Sequence, residues 1–461
     1  MISSLNLQQS LTGGTDTIVA LGTAPGRSAL AVIRLSGDKA TEIAGNHVSP
    51  WPLKAHGAKL CTVHDRGRTL DHAIVTVFIA PRSFTGEDLV EISTHGGHVV
   101  PASVMTALIG SGAREALPGE FTRRAVLNGK FDVMQAEAIG DLIDAQSSAM
   151  HQAALNQLDG GLSSRIALLR EGILSLESLI AYDVDFPEED DGPVSQVRIV
   201  ESIDNLLETL DLLLSTIPVG RIVKDGAIVV IAGEPNVGKS SLFNALLGEK
   251  RAIVTELPGT TRDAIEGLID AGRWPMRLID TAGLRESQDV VERLGIETSE
   301  RYIGHAHMVL ACGDNEASLV RTIATVAAMS SVPLIPVLTK SDMNRKTPGE
   351  GTLSSEALHV SAVTGEGLGF LQSEMESTIS RVYGEVSPEL PVLTRARHIQ
   401  ALEYACSEIS EFRATWITEA LPSTVAAVHL RSACVSLEGL IGAVSTDDVL
   451  ERVFSSFCVG K

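Results

Sequence analysis

Gly233-Glu-Pro-Asn-Val-Gly-Lys-Ser240 follows a fully apolar run, Ala227-Ile-Val-Val-Ile-Ala232. A buried parallel strand that ends in GxxxxGKS and opens into a helix is a phosphate cradle. Its glycines let main-chain N–H groups turn toward an anion, and the helix N-terminus adds partial positive charge. Lys239 suits the β- and γ-phosphates and the Ser240 hydroxyl suits Mg2+, with Asn236, Val237, Gly238 and Ser241 completing the nucleotide contact.

Asp280-Thr281-Ala282-Gly283 closes a second apolar strand, Met276-Arg-Leu-Ile279. It puts a carboxylate at the carboxyl edge of the sheet, beside the Mg2+ site, where a hydrolysing NTPase needs one. Between the two lies Thr255-Glu256-Leu257-Pro258-Gly259-Thr260-Thr261-Arg-Asp263, rich in hydroxyls and carbonyls. Thr261 is the candidate to reach Mg2+ once a γ-phosphate is bound. Alone, the loop would pass for a turn with surface threonines; its order and spacing favour the nucleotide site.

Base choice falls to Thr339-Lys340-Ser-Asp342, after the apolar run Val332–Leu338. The Asp342 carboxylate can accept from both N1–H and the exocyclic amine of guanine, a donor pair adenine lacks. Ser361-Ala362 follows another short strand and can offer a main-chain N–H to the 6-oxo group. The usual GTPase element reads Asn-Lys-x-Asp; with Thr339 in the first place, a hydroxyl must brace the loop with fewer hydrogen bonds. Guanine preference then rests mainly on Asp342.

Leu284 stands where Ras-like GTPases carry a water-orienting glutamine, and leucine cannot polarise water. Another group must orient the nucleophile, and another charge must stand in for an arginine finger. Glu292, on the expected helix after the Asp280 loop, can do the first, though by residue type it also reads as a solvated helix glutamate. A monovalent cation held near Asn236 can do the second.

The elements that must position these groups fall into three patterns. Up to about residue 130 the chain reads as mixed α/β, with strands at Thr17–Leu21, Leu30–Leu35, His72–Ile79 and Leu89–Ile92, turning helical from Gly96. From Val133 to Ile217 the apolar period is helical. Ile166, Leu169, Ile173, Leu176 and Ile180 form one face, and Ile199, Ile203, Leu206, Leu210, Leu213 and Ile217 another. Acidic Asp185–Asp191 separates them. Helical patterning returns after Pro391 with Ile399, Leu402, Cys406 and Ile409. The expected fold is multidomain, α/β plus all-α: an N-terminal α+β domain over 1–130, a helical domain over 131–220 and 385–461, and a Ras-like P-loop GTPase domain inserted over 221–384.

Lys plus Arg number 37 against 58 Asp plus Glu, a formal charge of −21. Such a surface repels bare phosphate backbones, so a nucleic-acid partner must be met at a local patch or through a second protein. Five scattered cysteines without a CxxC pair fit a reducing cytoplasm and no zinc site. No apolar run reaches membrane-spanning length, so no membrane partner is expected. Met1–Thr15 carries no Lys or Arg, reads as a mobile extension and does not look like a targeting peptide. Cys458, three residues from the last residue, reads either as a frayed-end thiol or as a nucleophile activated by Lys461.

From Asp16 to Lys461 the sequence resembles the bacterial tRNA-modification GTPase family MnmE, also called TrmE. The residues that carry the resemblance are Ala31-Val-Ile-Arg-Leu-Ser-Gly37, Ser83-Phe-Thr-Gly-Glu-Asp88, His95-Gly-Gly97, Pro118-Gly-Glu-Phe-Thr-Arg-Arg-Ala125, Gln135–Asp144, the nucleotide motifs and the terminal Phe457-Cys-Val-Gly-Lys461. Departures are Val459 for isoleucine, Thr339 for asparagine and the N-terminal extension.

The resemblance implies a cytoplasmic homodimer that binds GTP, Mg2+ and K+. It would work with the FAD-dependent flavoprotein MnmG (GidA), in a heterotetramer or larger complex, on the wobble uridine of tRNA. The product would be an aminomethyl or carboxymethylaminomethyl group at the 5-position, its carbon supplied by 5-formyl- or methylene-tetrahydrofolate. The N-terminal domain would be folate-binding, of glycine-cleavage T-protein type, with Arg34, Glu91, Lys130 and Lys461 at the folate. Asn236, Thr255, Leu257 and Thr260 would hold K+, Glu292 would be catalytic, and Cys458 falls on the family's terminal cysteine. Hydrolysis would be coupled to opening and closing of two GTPase domains across the dimer. Two other readings stand beside this one. A regulatory Era-like GTPase of ribosome assembly would draw on Gly439-Leu-Ile-Gly442 as a KH-type loop. A folate-dependent transferase with a vestigial GTPase domain predicts no GTP turnover.

Overall fold

The computed structural model describes residues 16–185, 196–249, 265–280, 302–343, 357–384, 391–418 and 422–442, with Phe454, Phe457 and Gly460. The chain forms two compact units, one of Met1–Gly140, Leu162–Leu174 and Arg431–Lys461, the other of Asp141–Gly161 and Ser175–Leu430.

The first unit is built on β1 (Ile18–Leu21), β2 (Leu30–Ser36), α1 (Ala40–Gly45), β3 (Val48–Ser49), β4 (Ala58–Asp65), β5 (Arg68–Phe78), β6 (Leu89–His95), α2 (Val99–Gly110), β7 (Arg114–Glu115) and α3 (Glu120–Leu127). Its seven strands form one sheet in the order β3-β4-β5-β6-β2-β1-β7. Alternation is plain in β2. Ala31, Ile33 and Leu35 are buried, with Ile33 and Leu35 in a core shared with Val75, Ile92, Val104 and Leu108, while Leu30, Val32 and Arg34 take the other face. The register sets Arg34 opposite Glu91. Sequence periodicity missed β3, β4 and β7; in β4 only Cys61 and Val63 are buried, too few for a pattern.

There follow α4 (Val133–Asp144), α5 (Ser148–Leu158), α6 (Gly161–Asp185), α7 (Gln196–Leu214) and α8 (Ile217–Asp225). In α7 the buried residues are Ile199, Ile203, Leu206, Leu210 and Leu213, as three-four spacing predicts, whereas Ile217, expected on the same stripe, opens α8 and is half-buried.

The second sheet comprises β8 (Ala227–Gly233), β9 (Ile265–Ala271), β10 (Trp274–Asp280), β11 (Met308–Gly313), β12 (Leu334–Leu338) and β13 (Leu358–His359), in the order β13-β12-β11-β8-β10-β9. All neighbours are parallel except β9, which pairs antiparallel with β10 at one edge. Helices α9 (Lys239–Glu249), α10 (Glu316–Met329) and α11 (Leu368–Tyr383) belong to the same region. Leu242 and Leu246 of α9 and Leu371 and Met375 of α11 share a core with Val229, Ile231, Leu278 and Leu310. Such a sheet, buried on both faces, requires the continuous apolar runs that the sequence shows.

Helices α12 (Ala396–Thr418) and α13 (Ser423–Ile441) follow. The buried stripe of α12 is His398, Leu402, Ala405, Ile409 and Phe412. Ile399 and Cys406, expected on that stripe, are only half-buried at its margin. Gly439, Leu440 and Ile441 form the last turn of α13, so this GxxG is helical up to Gly442.

Candidate functional site

The strand ends of the second sheet carry the chemistry. β8 runs into the glycine-rich loop and α9 begins at Lys239. Gly233 is required where it stands, because a Cβ there would lie 2.5 Å from the Cys312 carbonyl oxygen on β11. Asn236 adopts a left-handed backbone, φ 63°, which an asparagine accepts more readily than most residues. Lys239 is buried, and its Nζ donates to the carbonyls of Gly233 at 2.9 Å and Glu234 at 2.8 Å. The ammonium is thus folded under the loop, its charge satisfied by main-chain dipoles. Ser240 follows in the first turn of α9 and is exposed.

Asp280 ends β10, paired in register with Ile231 of β8, and is 1% exposed. The Cys312 thiol lies within electrostatic reach of both groups. Burial pushes it up to about 12, with Lys239 opposing and Asp280 adding to the shift, so it stays a neutral packing residue.

The base-side loop is tied to the cradle. The buried Thr339 hydroxyl donates to the Val237 carbonyl and also lies 3.2 Å from the Gly313 carbonyl. Lys340, at φ 57°, reaches across with Nζ 2.7 Å from the Asn236 carbonyl and 3.2 Å from Asp314 Oδ2. Asp342 Oδ1 accepts from Ser361 Oγ at 2.7 Å, which fixes the rotation of the carboxylate. Ser361 is buried, and its hydroxyl oxygen in turn accepts from the N–H groups of Val363 and Thr364, at 3.3 and 3.2 Å. Ala362 follows Ser361 directly. Asn236, Val237, Gly238, Lys239, Thr339 and Lys340 therefore meet at one rim, with Asp342, Ser361 and Ala362 on the adjoining loops.

A clamp at Glu234 had no sequence signal. Its carboxylate accepts from Arg321 Nε at 2.7 Å, Arg321 Nη2 at 3.0 Å and Ser318 Oγ at 3.0 Å, joining the cradle to α10. Hydrogen bonds from Arg321, then Ser318, hold the carboxyl down to about 2. The partners are too far apart in sequence for spacing to reveal them.

Thr255, Glu256, Leu257, Pro258, Gly259, Thr260, Thr261, Thr281, Ala282, Gly283, Leu284, Glu292, Cys458 and Lys461 lie outside the described residues. For Mg2+ the described candidate is Ser240, and for a monovalent cation Asn236. The exposure of both on the rim is compatible with cation ligation. Among the described residues no cluster of His, Cys, Asp and Glu is arranged to hold a metal. An alkali cation or Mg2+ ligated by hydroxyl, amide and phosphate oxygens does not need one.

In the first unit, Arg34 Nε donates to Glu91 Oε1 at 2.9 Å, both half-buried. The Arg34 guanidinium lies 5.9 Å from the centre of the Phe84 ring, and Phe84 meets Phe131 at 5.6 Å. Lys130, beside Phe131, donates from Nζ to the Pro81 carbonyl at 3.1 Å. It lines a 330 Å³ cavity with Val126, Asp132, Gln135 and Ile441. Buried Gly460, between Cys458 and Lys461 in sequence, packs against Leu21 and Gly22, and Gly22 packs against Arg34. The ion pair, the cations and the aromatic pair suit a flat heterocycle with an acidic tail. The Phe84–Phe131 pair, far apart along the chain, has no periodic signal in the sequence.

The Pro118–Ala125 motif supplies the buried centre, Glu120 and Arg124, of an ion network that reaches the surface at Asp16. Arg114 makes a bidentate pair with Glu120 at 2.6 and 3.1 Å and reaches Asp16 at 2.7 Å. Arg124 bonds Asp16 at 2.7 Å and Glu120 at 3.1 Å, with Glu87 at 3.3 Å.

Comparison with known proteins gives a consistent result. Residues 17–130 match the family described as GTP-binding protein TrmE N-terminus, and residues 133–458 match the MnmE helical domain. Two similar relatives are both named tRNA modification GTPase MnmE. That of Heliobacterium modesticaldum is 38% identical over 97% of this chain and 99% of its own. That of Aquifex aeolicus is 35% identical over 97% of this chain and 100% of its own. A solved structure, the G domain of the T. maritima FeoB iron transporter, is 26% identical over 34% of this chain and 99% of its own. Its TM-score is 0.26.

Proposed function

Because the chain belongs to the tRNA modification GTPase MnmE family and is a GTP hydrolase, we propose that it couples potassium-dependent GTP hydrolysis to modification of the tRNA wobble uridine. The observation that carries the nucleotide half is the shared rim: Lys239 under the loop, Thr339 and Lys340 bonded to its carbonyls, and Asp342 oriented by Ser361. The cradle takes the phosphates, Ser240 and Thr261 hold Mg2+, and Asp342 pairs with the N1–H and amine edge of guanine. A K+ ion at Asn236, Thr255, Leu257 and Thr260 supplies the charge an arginine finger supplies elsewhere, and Glu292 orients water.

The second half of the proposal concerns the first unit. Arg34, Glu91, Lys130 and Lys461 bind a reduced folate, and the chain works as a homodimer with the flavoprotein MnmG. Together they place an aminomethyl or carboxymethylaminomethyl group at the uridine 5-position in the cytoplasm. The Arg34–Glu91 pair beside Phe84 supports this, because a pterin needs a hydrogen-bonding edge and a stacking face. Nucleoside mass spectrometry of tRNA from a deletion strain tests it. Loss of the modified uridine, restored by the intact gene, is expected; normal modification in the deletion strain would refute the proposal.

A further inference from the structure

We propose that this nucleotide site reads guanine without a side-chain donor to N7, and that Thr339 is the residue responsible. The inference rests on the guanine reading of Asp342. Around the recognised edge of guanine the exocyclic amine, N1–H, the 6-oxo group and N7 follow in that order, and N7 and the 6-oxo group are both acceptors. Asp342 meets the first two and the main chain at Ser361-Ala362 the third. N7 comes next, on the side away from Asp342 and toward the cradle. There Thr339 lies, three residues before Asp342 and bonded to Val237 of the cradle.

A hydroxyl has one proton to give. That of Thr339 faces two carbonyl oxygens, of Val237 and of Gly313, and carbonyls only accept. The proton is committed to them, and the lone pairs that remain cannot bond N7. Lys340 offers no substitute, since its ammonium is drawn to the Asn236 carbonyl and Asp314. An asparagine at 339 would differ in kind. Its amide carries two N–H donors, one for the Val237 carbonyl and one for the base. Thr339 thus keeps the brace and gives up the N7 contact. Discrimination moves onto the amine, N1 and 6-oxo contacts.

The test is displacement of a fluorescent GDP analogue from the full chain by GDP, 7-deaza-GDP and IDP, for the wild type and Thr339→Asn. In 7-deaza-GDP a C–H replaces N7; IDP lacks the exocyclic amine. For the wild type, GDP and 7-deaza-GDP should bind within about twofold of each other, while IDP should bind at least about tenfold more weakly. In Thr339→Asn, 7-deaza-GDP should fall about 3- to 10-fold behind GDP, the worth of one hydrogen bond. A wild type that loses about fivefold or more on 7-deaza-GDP would overturn the inference, and that comparison decides the matter even if the variant does not fold. Equal binding of GDP and IDP would overturn the guanine reading itself, and this inference with it.

Discussion

Lys239 is held beneath its loop by the carbonyls of Gly233 and Glu234, which fix where its ammonium lies in the cradle. The neighbouring braces can be tested singly. Thr339→Ala leaves the buried Val237 carbonyl without its hydroxyl partner, and GDP affinity should fall by about 1–3 kcal/mol, read by calorimetry. Unchanged affinity would mean that the loop holds itself. At Glu234 the sign of the pH effect follows from its depressed pKa. The folded value, about 2, lies below the ordinary 4.5, so the clamp to Arg321 contributes fully above about pH 4.5 and is lost as the pH falls toward 2. In Arg321→Ala the Glu234 carboxyl should move up toward its ordinary value, with the Ser318 hydroxyl still holding it below, as carboxylate NMR would show. Glu292→Ala should keep GTP binding and lose about 100-fold or more in turnover; normal turnover would leave Glu292 without a catalytic role.

At the scale of elements, the parallel sheet and its helices follow from patterns that depend on nearby residues. Apolar runs of strand length end in glycine or aspartate, and α7 buries the five residues that its spacing selects. What the sequence left hidden depends on distant partners. Phe84 meets Phe131, Glu234 meets Arg321, and Arg124 meets Asp16, none of them periodic in sequence. The short strands β3 and β7, of two residues each, exist only through their neighbours. In α12 the buried stripe is rotated from the expected one because buried His398 and Ala405, poor signals of a core, take its centre. The Arg114–Glu120–Arg124 network also makes a testable demand. Burial would raise the Glu120 carboxyl, but hydrogen bonds from Arg114 and the Leu117 N–H, with both guanidinium charges, bring it below its ordinary 4.5. Its stabilising contribution is present above that value and lost at lower pH. Arg124→Ala, which removes one partner from a buried cluster, should cost about 3 kcal/mol at pH 7 in denaturant unfolding. A cost near zero would place the network on the solvated surface.

For the whole molecule, a formal charge of −21 sets the terms of any encounter with tRNA. Long-range attraction cannot gather such a partner, so binding must be local or aided by a second protein, such as the proposed flavoprotein. Affinity of the isolated chain for tRNA should therefore be weak at physiological salt and rise when MnmG is added, as filter binding would show. The nucleotide rim carries the central claim, that a monovalent cation beside Asn236 takes the place of an arginine. The most direct test is GTP turnover by the purified chain in KCl and in NaCl at equal ionic strength, for the wild type and Asn236→Ala. The account predicts a wild-type rate at least about tenfold higher in K+, and no such difference in the variant, which should still bind nucleotide. Equal wild-type rates in the two salts would contradict it.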